Sequence, residues 1–414
     1  MSITRRGVLA LPVLAALPAA ANAAGTVRIG YIEPLTGNAA AAGKSIQQGV
    51  ELLVDIINTP HPDLAPLPLA AGAGLPKLGG DKVAVVWSDN QGNPSVGQSD
   101  ALRLITQDSV VALCGAYQSN VTLTASAVAE RYGIPFLTGE SVAANLTERG
   151  YKWFFRTTPF GPDFGNLYLD FLAYAAKVGH KTGKIAVVHE DTDYGTSVAG
   201  SISEAASKRG IKIAQDISYN ANGTDVSPQV LQLKNGQPDV VIFISYTSDA
   251  ILYMKTFKTL GYRPPIVIGD DSGFSDPSFV TSVGDIAQGV LNRSAFVAGK
   301  PGSLTYKVNA LFKKRTGRDL DDTTARSMQG FLVMCDAINR AGSTKPDAIR
   351  DALAATDVPA NELMIGYKGV KFNQQGQNEL AYSLMIQLQG KDYVPVWPLN
   401  AATAKLELPF KGSA

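Results

Sequence analysis

Short β-branched runs alternate along most of the chain with longer runs whose apolar residues recur three and four positions apart. Residues 27 to 32 form a strand-like run ending in a Pro/Gly loop. Ile46, Val50, Leu53, Val54 and Ile57 then fall at helical spacing and predict a helix from 45 to 57. Strands are predicted at 83–87, 110–114 and 134–137, with helices at 96–107 and 120–131 between them. A second series follows Phe154-Phe155-Arg156, with strands at 184–189, 211–216, 239–245 and 265–269 and helices at 195–209, 226–233 and 250–260. The 239–245 run is almost wholly apolar, as expected of a parallel strand covered on both faces. Such β-α alternation implies an α/β protein with two doubly wound parallel-sheet lobes, joined near residues 156 to 160.

Beyond Gly289 the pattern predicts helices at 304–316, 324–341 and 346–355, and a hairpin made of 370–372 and 382–388. Asn58 to Gly80 stands apart. It holds five prolines and no period, and reads as a mobile surface loop inserted between a helix and a strand.

The N-terminus changes the picture. Arg5 and Arg6 precede an apolar run from Val8 to Ala20, and Ala21-Asn22-Ala23 places small residues where a signal peptidase reads. Residues 1–23 are therefore expected to be a signal peptide. The run is too short and too proline-broken for a spanning helix. Thr4-Arg5-Arg6-Gly7 also fits a twin-arginine leader, so the export route, general secretory or twin-arginine, is left open. The whole chain has 414 residues and a formal charge of +1, and loss of the two leader arginines brings it to −1. That balance offers nothing to draw nucleic acid or an anionic bilayer. The two cysteines, Cys114 and Cys335, lie in apolar runs and read as buried thiols rather than a disulfide framework.

Chemical motifs are sparse. Gly37 to Ser45 looks like a phosphate-binding loop but has five residues between its glycines where that loop needs four. Gly195-Thr196-Ser197-Val198-Ala199-Gly200 is one residue off a nucleophile elbow. His61 and His180 read as solvated, and His189 ends a strand beside Glu190 and Asp191. The acidic pairs 190–191 and 270–271 suit helix capping as well as acid/base work. No spacing calls for a metal or any other cofactor. An exported hydrolase using Ser119 or Ser197 with His189 is the rival enzymatic reading, and a sensor domain is a third.

What remains is a set of strand-end loops rich in hydroxyls, aromatics and helix starts. Gly115-Ala116-Tyr117-Gln118-Ser119-Asn120 joins a strand to a helix whose free N–H groups, with the Ser119 hydroxyl, suit a carboxylate. Thr138-Gly139-Glu140-Ser141 ends the next strand. In the second series, Asp193-Tyr194, Ser245-Tyr246 and Asp270-Asp271 do the same. A ligand between the lobes would meet an anion hole on one side and two tyrosines and an acid on the other.

Ile32-Glu33-Pro34-Leu35-Thr36-Gly37, the turn from Asp89 to Pro94, Gly115 to Thr122, Phe155-Arg156-Thr157, Asp193-Tyr194-Gly195 and Gly269-Asp270-Asp271 together resemble the periplasmic leucine/isoleucine/valine-binding proteins of ABC importers. The resemblance runs from Val27 to Pro395, apart from the insertion. It implies a type I periplasmic-binding fold with three interlobe crossovers. Lobe 1 would comprise 27–158 and 294–381, and lobe 2 would comprise 159–293 and 382–414. It also implies a non-enzymatic receptor, a monomer, that binds a small molecule and delivers it to a membrane permease.

Carried over by position, the resemblance puts Ser119 and the backbone around Glu140 and Ser141 on the ligand carboxylate, and Tyr117, Gln118 and Asn120 are also expected at the ligand. Tyr194 and Tyr246 would close over the ligand, and Asp271 would take its ammonium. Ala42 stands where the family often has a large aromatic, which implies a wider pocket. Val142 replaces a hydroxyl residue, and neither Gly92 nor Gln118 supplies the family's early disulfide. The expected ligand is a hydrophobic or branched-chain amino acid, with an aromatic carboxylate as the alternative.

Overall fold

The computed structural model describes residues 25–412, apart from 222 and 271. The leader assigned to residues 1–23 and the proposed ammonium partner Asp271 therefore lie outside the described residues.

Five strands build the first sheet: β1 (Thr26–Glu33), β2 (Lys82–Asp89), β3 (Ala112–Gly115), β4 (Phe136–Thr138) and β5 (Phe154–Arg156), all parallel, in the order β2-β1-β3-β4-β5. Side chains alternate across β1, so Val27, Ile29 and Tyr31 enter one core while Ile32 enters the other. The first core is closed by the helices Ala40–Asn58 and Asp322–Ala341, the second by Pro94–Thr106 and Ser119–Tyr132. Both faces are dry, which suits a parallel sheet.

The second sheet contains β6 (Ile185–Glu190), β7 (Ile213–Tyr219), β8 (Val240–Ile244), β9 (Ile266–Asp270) and β10 (Leu291–Ser294). A short pair, β11 (Asp357–Pro359) and β12 (Gly369–Lys371), lies apart, and β13 (Leu384–Gln389) and β14 (Asp392–Trp397) return to the second sheet. Its order is β14-β13-β10-β9-β8-β6-β7, with β13 and β14 antiparallel at one edge. Every residue of β8 is buried. The chain thus passes between the lobes three times: after β5, after β10 and before β13.

Three sequence expectations change. The hairpin predicted from 370–372 and 382–388 does not form, because β12 pairs with β11 while β13 pairs with β10 and β14. Local pattern cannot choose among partners on different lobes. The helix predicted from residue 45 begins at Ala40, so Gly43-Lys44-Ser45 lie inside helix and cannot curl around a phosphate. A Cβ at Gly43 would sit 2.2 Å from the Pro34 carbonyl oxygen, so this glycine lets the helix rest directly on the chain leaving β1.

The third change concerns the proline-rich insertion, which is anchored. Leu64, Leu67, Ala70 and Leu75 enter the first lobe's core with 0–1% of their surface exposed. Two 3-10 turns, Pro62–Leu64 and Pro76–Leu78, replace any regular period. The Lys77 amide donates to Asn339 Oδ1 at 3.0 Å and Lys307 Nζ to the Asp63 carbonyl at 2.8 Å, bracing two helices of this lobe. Leu67→Ala should accordingly cost about 2–5 kcal/mol of unfolding free energy by denaturant titration. A cost under about 0.5 kcal/mol would mark the segment as loose surface.

Candidate ligand site between the lobes

The strand ends of the first lobe hold one another. β3 ends at Gly115, whose φ of 104° admits only glycine, since a Cβ there would sit 2.3 Å from the Ile32 carbonyl oxygen. The Ser141 hydroxyl donates to the Ala116 carbonyl at 2.7 Å and lies 2.6 Å from the Thr122 hydroxyl. The Glu140 and Ser141 amides both donate to Thr138 Oγ1, at 3.2 and 3.1 Å. These groups, expected on a ligand carboxylate, are spent within the lobe and fix the shape of the loop.

The Ser119 hydroxyl accepts from the Ala143 amide at 3.3 Å and keeps its own proton to donate. It opens the Ser119–Tyr132 helix, whose N-terminus no side chain caps. Gln118 Oε1 and Asn120 Oδ1 are buried without a hydrogen-bond partner, beside a cavity of about 40 Å³ that Tyr246 lines from the other lobe. Val142 packs into a core cluster of the second lobe, and Ala42 is buried on the first.

The second lobe answers with aromatic rings. Tyr246 lies between Tyr117 and Tyr194, with centroid separations of 5.6 and 5.3 Å, so three tyrosines span the lobes. The Tyr246 hydroxyl is buried without a hydrogen-bond partner, and burial pushes its pKa up. The Tyr194 hydroxyl donates to Asp270 Oδ2 at 2.7 Å. Tyr168 also donates to Asp270, and Arg293 Nε pairs with it at 2.8 Å while stacking 3.5 Å over the Phe164 ring. Asp270 is thereby committed to the core of its own lobe. Between the lobes, the Ala144 amide donates to Ser197 Oγ at 2.8 Å and the Gly161 amide to the Val142 carbonyl at 3.2 Å.

The hydrolase reading loses its base. His189 directs Nδ1 to the Glu190 carbonyl at 2.9 Å and Nε2 to Asp216 at 3.3 Å, so both ring nitrogens are bonded elsewhere than Ser119 or Ser197. Glu190 accepts from the Thr192 and Gly195 amides, both at 2.5 Å, and so secures the start of the next helix. Cys114 and Cys335 are free and buried.

Sequence reasoning missed the groups that hold the crossovers. Asp322 and Arg326, one turn apart on the Asp322–Ala341 helix, form a buried ion pair at 2.9 Å. Asp322 Oδ1 accepts from the Ala295 and Phe296 amides, at 2.6 and 3.0 Å, where the chain leaves β10. Arg326 Nη1 donates to the Gly139 and Glu140 carbonyls, both at 3.1 Å, and to Thr158 Oγ1 at 2.8 Å. Arg156 donates to Gln377 Oε1 at 2.5 Å and to the Ala143 carbonyl at 2.6 Å, and burial lowers its pKa to about 9. Gln377 and Asn378 in turn hold the Thr158 and Thr157 carbonyls at 2.9 and 3.0 Å. The one available signal was an i,i+4 charged pair at the helix start, and the same helix carries a second such pair, Asp336–Arg340, that is only part-buried.

Glu33 is the last residue of β1. It is 0% exposed and neither carboxyl oxygen has a hydrogen-bond partner. Burial first, and then the nearby Glu140 charge, push its pKa well up.

Residues 26–390 match the family model for periplasmic binding proteins. The chain belongs to the periplasmic binding protein family. Among its relatives, the Leu/Ile/Val-binding protein homolog 7 of Brucella suis is 31% identical over 97% of this chain and 99% of that protein. Two solved structures share the two-lobed fold. The branched-chain amino acid transporter substrate binding protein LivJ from Streptococcus pneumoniae, in complex with isoleucine, aligns with a TM-score of 0.74 and 21% identity over 93% of this chain and all of that one. A solute binding protein of an ABC transporter from Rhodopseudomonas palustris, in complex with 3,4-dihydroxybenzoic acid, gives 0.71 and 19% over 94% and 98%.

Two outcomes follow from the buried charges of this periplasmic binding protein. Arg326→Met strands Asp322 without its cation and should cost about 3–5 kcal/mol in chemical denaturation. Glu33 has a raised folded-state pKa, so its contribution is most favourable below the ordinary carboxyl value of 4.5 and is lost as pH rises. Glu33→Gln should therefore raise the melting temperature at pH 7, and the gain should disappear at pH 4.

Proposed function

We propose that this chain is the solute receptor of an ABC importer and holds a hydrophobic or branched-chain amino acid between its lobes. The observation that carries this reading is the meeting of an uncapped helix start, with the Ser119 hydroxyl, and the tyrosines of the opposite lobe. The helix N-terminus and Ser119 take the ligand carboxylate. Tyr117, Tyr194 and Tyr246 cover the apolar part, with Gln118, Asn120, Val142 and Ala42 around it. Glu140 and Ser141 act by shaping the loop, and Asp271 takes the ammonium. The Leu/Ile/Val-binding relatives and the isoleucine complex support this ligand class.

The moving bodies are 27–158 with 294–381 and 159–293 with 382–414, and closure brings the tyrosines over the ligand. The leader is removed after Ala23, and the mature protein works in the periplasm, as a monomer, with a membrane permease as its partner. No bond is made or broken. An aromatic carboxylate is the second reading, favoured by the small Ala42 and by the dihydroxybenzoate complex of a structural neighbour.

A thermal-shift screen of the mature protein separates the two. A ligand at a thousand times its Kd adds about 4 kcal/mol. Amino acids should raise the melting temperature, and Asp271→Ala should abolish that shift while leaving the unliganded melting point unchanged. Stabilisation by non-amino carboxylates alone would remove the ammonium role of Asp271 and replace the first reading with the second.

A further inference from the structure

The proline-rich insertion at 58–80 does more than cover the first lobe. Pro66, Pro68 and Pro76 roof a cavity of about 660 Å³, whose floor is the carboxyl end of the Asp322–Ala341 helix and residues 355–362. The cavity lies at the amino end of the first sheet, because the insertion leads directly into Lys82, which pairs with Thr26, the first residue of β1. The cleft between the lobes lies at the opposite, carboxyl end of the strands. Every wall of the cavity belongs to the first lobe.

The walls are set by the fold itself. Leu64, Leu67, Ala70 and Leu75 anchor the roof in the core. Backbone bonds close it as well, with the His61 amide donating to the Ala70 carbonyl and the Gly74 amide to the Ile57 carbonyl, both at 2.7 Å. Proline fixes its own φ, so a roof with three of them loses little freedom when it takes a ligand. Leu69 lines the cavity half-buried and holds a φ of 66°, in the left-handed region that leucine disfavours. The volume falls within the range of small-molecule sites, about 300–1,000 Å³.

The floor supplies charge. Asp336, Asp357 and Glu362 line it against a single cation, Arg340. That guanidinium is committed: Nε donates to Asp336 at 2.7 Å, Nη1 to the Ala352 carbonyl at 2.7 Å and Nη2 to Thr356 Oγ1 at 2.8 Å. Asp357 lies 3.9 Å from Lys371 with both side chains largely in water, a contact of little strength. The half-buried Glu362 carboxylate has no hydrogen bond or ion pair among the described residues. An apolar roof over an acidic floor with too few cations matches an organic cation with an apolar body.

We propose that this cavity is a second binding site, separate from the cleft, for an organic amine. The ammonium meets the Glu362 and Asp336 carboxylates, and the apolar body lies along Pro66, Pro68 and Leu69. An ammonium has three donors and no acceptor, which suits a floor of carboxylate oxygens. An anion of the same shape is repelled there, so the site selects by charge. Its walls come from one lobe, so amine binding neither requires closure nor competes with a ligand held between the lobes.

The test uses the full mature protein and two probes with one body and opposite charge, 4-phenylbutylamine and 4-phenylbutyrate, in titration calorimetry. The amine should bind with a Kd of about 1 mM or tighter, and at least about tenfold tighter than the acid. Gly72 lines the cavity and a Cβ there meets no atom within 4 Å, so Gly72→Trp has room to fill the space and should remove amine binding. Glu362→Gln should weaken the amine about threefold. Both variants should keep the wild-type melting temperature. Equal affinity for amine and acid, no binding of the amine at millimolar concentration, or an amine affinity unchanged in either variant overturns the inference. So does competition between the amine and isoleucine, which would put the amine in the cleft. None of these results touches the amino-acid reading of the cleft, which fails separately if no amino acid binds.

Discussion

A two-lobed receptor must let its lobes move without letting its crossovers drift, and here that requirement converges on one buried ion pair. Asp322 and Arg326 sit a single helical turn apart with no more than 1% of either side chain exposed. Two charges so far from water are tolerated only when each lone pair and each N–H finds a partner. The partners are backbone amides of the crossover after β10, backbone carbonyls of the loop that ends β4, and the Thr158 hydroxyl of the crossover after β5. Arg156, with Gln377 and Asn378, ties the third passage to the first in the same way. The crossovers are therefore tied into a hydrogen-bonded node anchored on the first lobe, and the loop that ends β4 is bonded to that node directly.

That arrangement explains why so many polar groups near the cleft are occupied from within. Ser141, Thr122 and Thr138 bond to their own loops, and Asp270 is held by Arg293 and two tyrosines. A site whose loops are already satisfied does not reorganise when ligand arrives, so binding free energy is kept for closure and selection.

Much of the fold could be read from periodicity. The alternation of strand and helix runs identified both sheets, and the unbroken apolar run at 239–245 marked a buried central strand. The strand-end loops followed, because parallel sheets bind ligands at their carboxyl ends. Glu140 and Ser141 end β4 as position predicts, and their hydrogen bonds run within their own lobe, because a side chain at a strand end can turn inward. The unpaired burial of Glu33 left no mark in the sequence, because a lone acid in a strand carries no spacing signal.

The sequence by itself determined the secondary elements, the doubly wound class and the family, since each depends on local spacing or on the order of short motifs. Tertiary structure decided the rest. It drew the proline-rich insertion into the core through four apolar residues, Leu64, Leu67, Ala70 and Leu75. It sent β12 and β13 to different sheets, and it chose which of two neighbouring carboxyls, Glu33 or Glu140, would be satisfied. Those outcomes depend on which distant segments compete for the same partner, and that competition is settled only when the chain is packed.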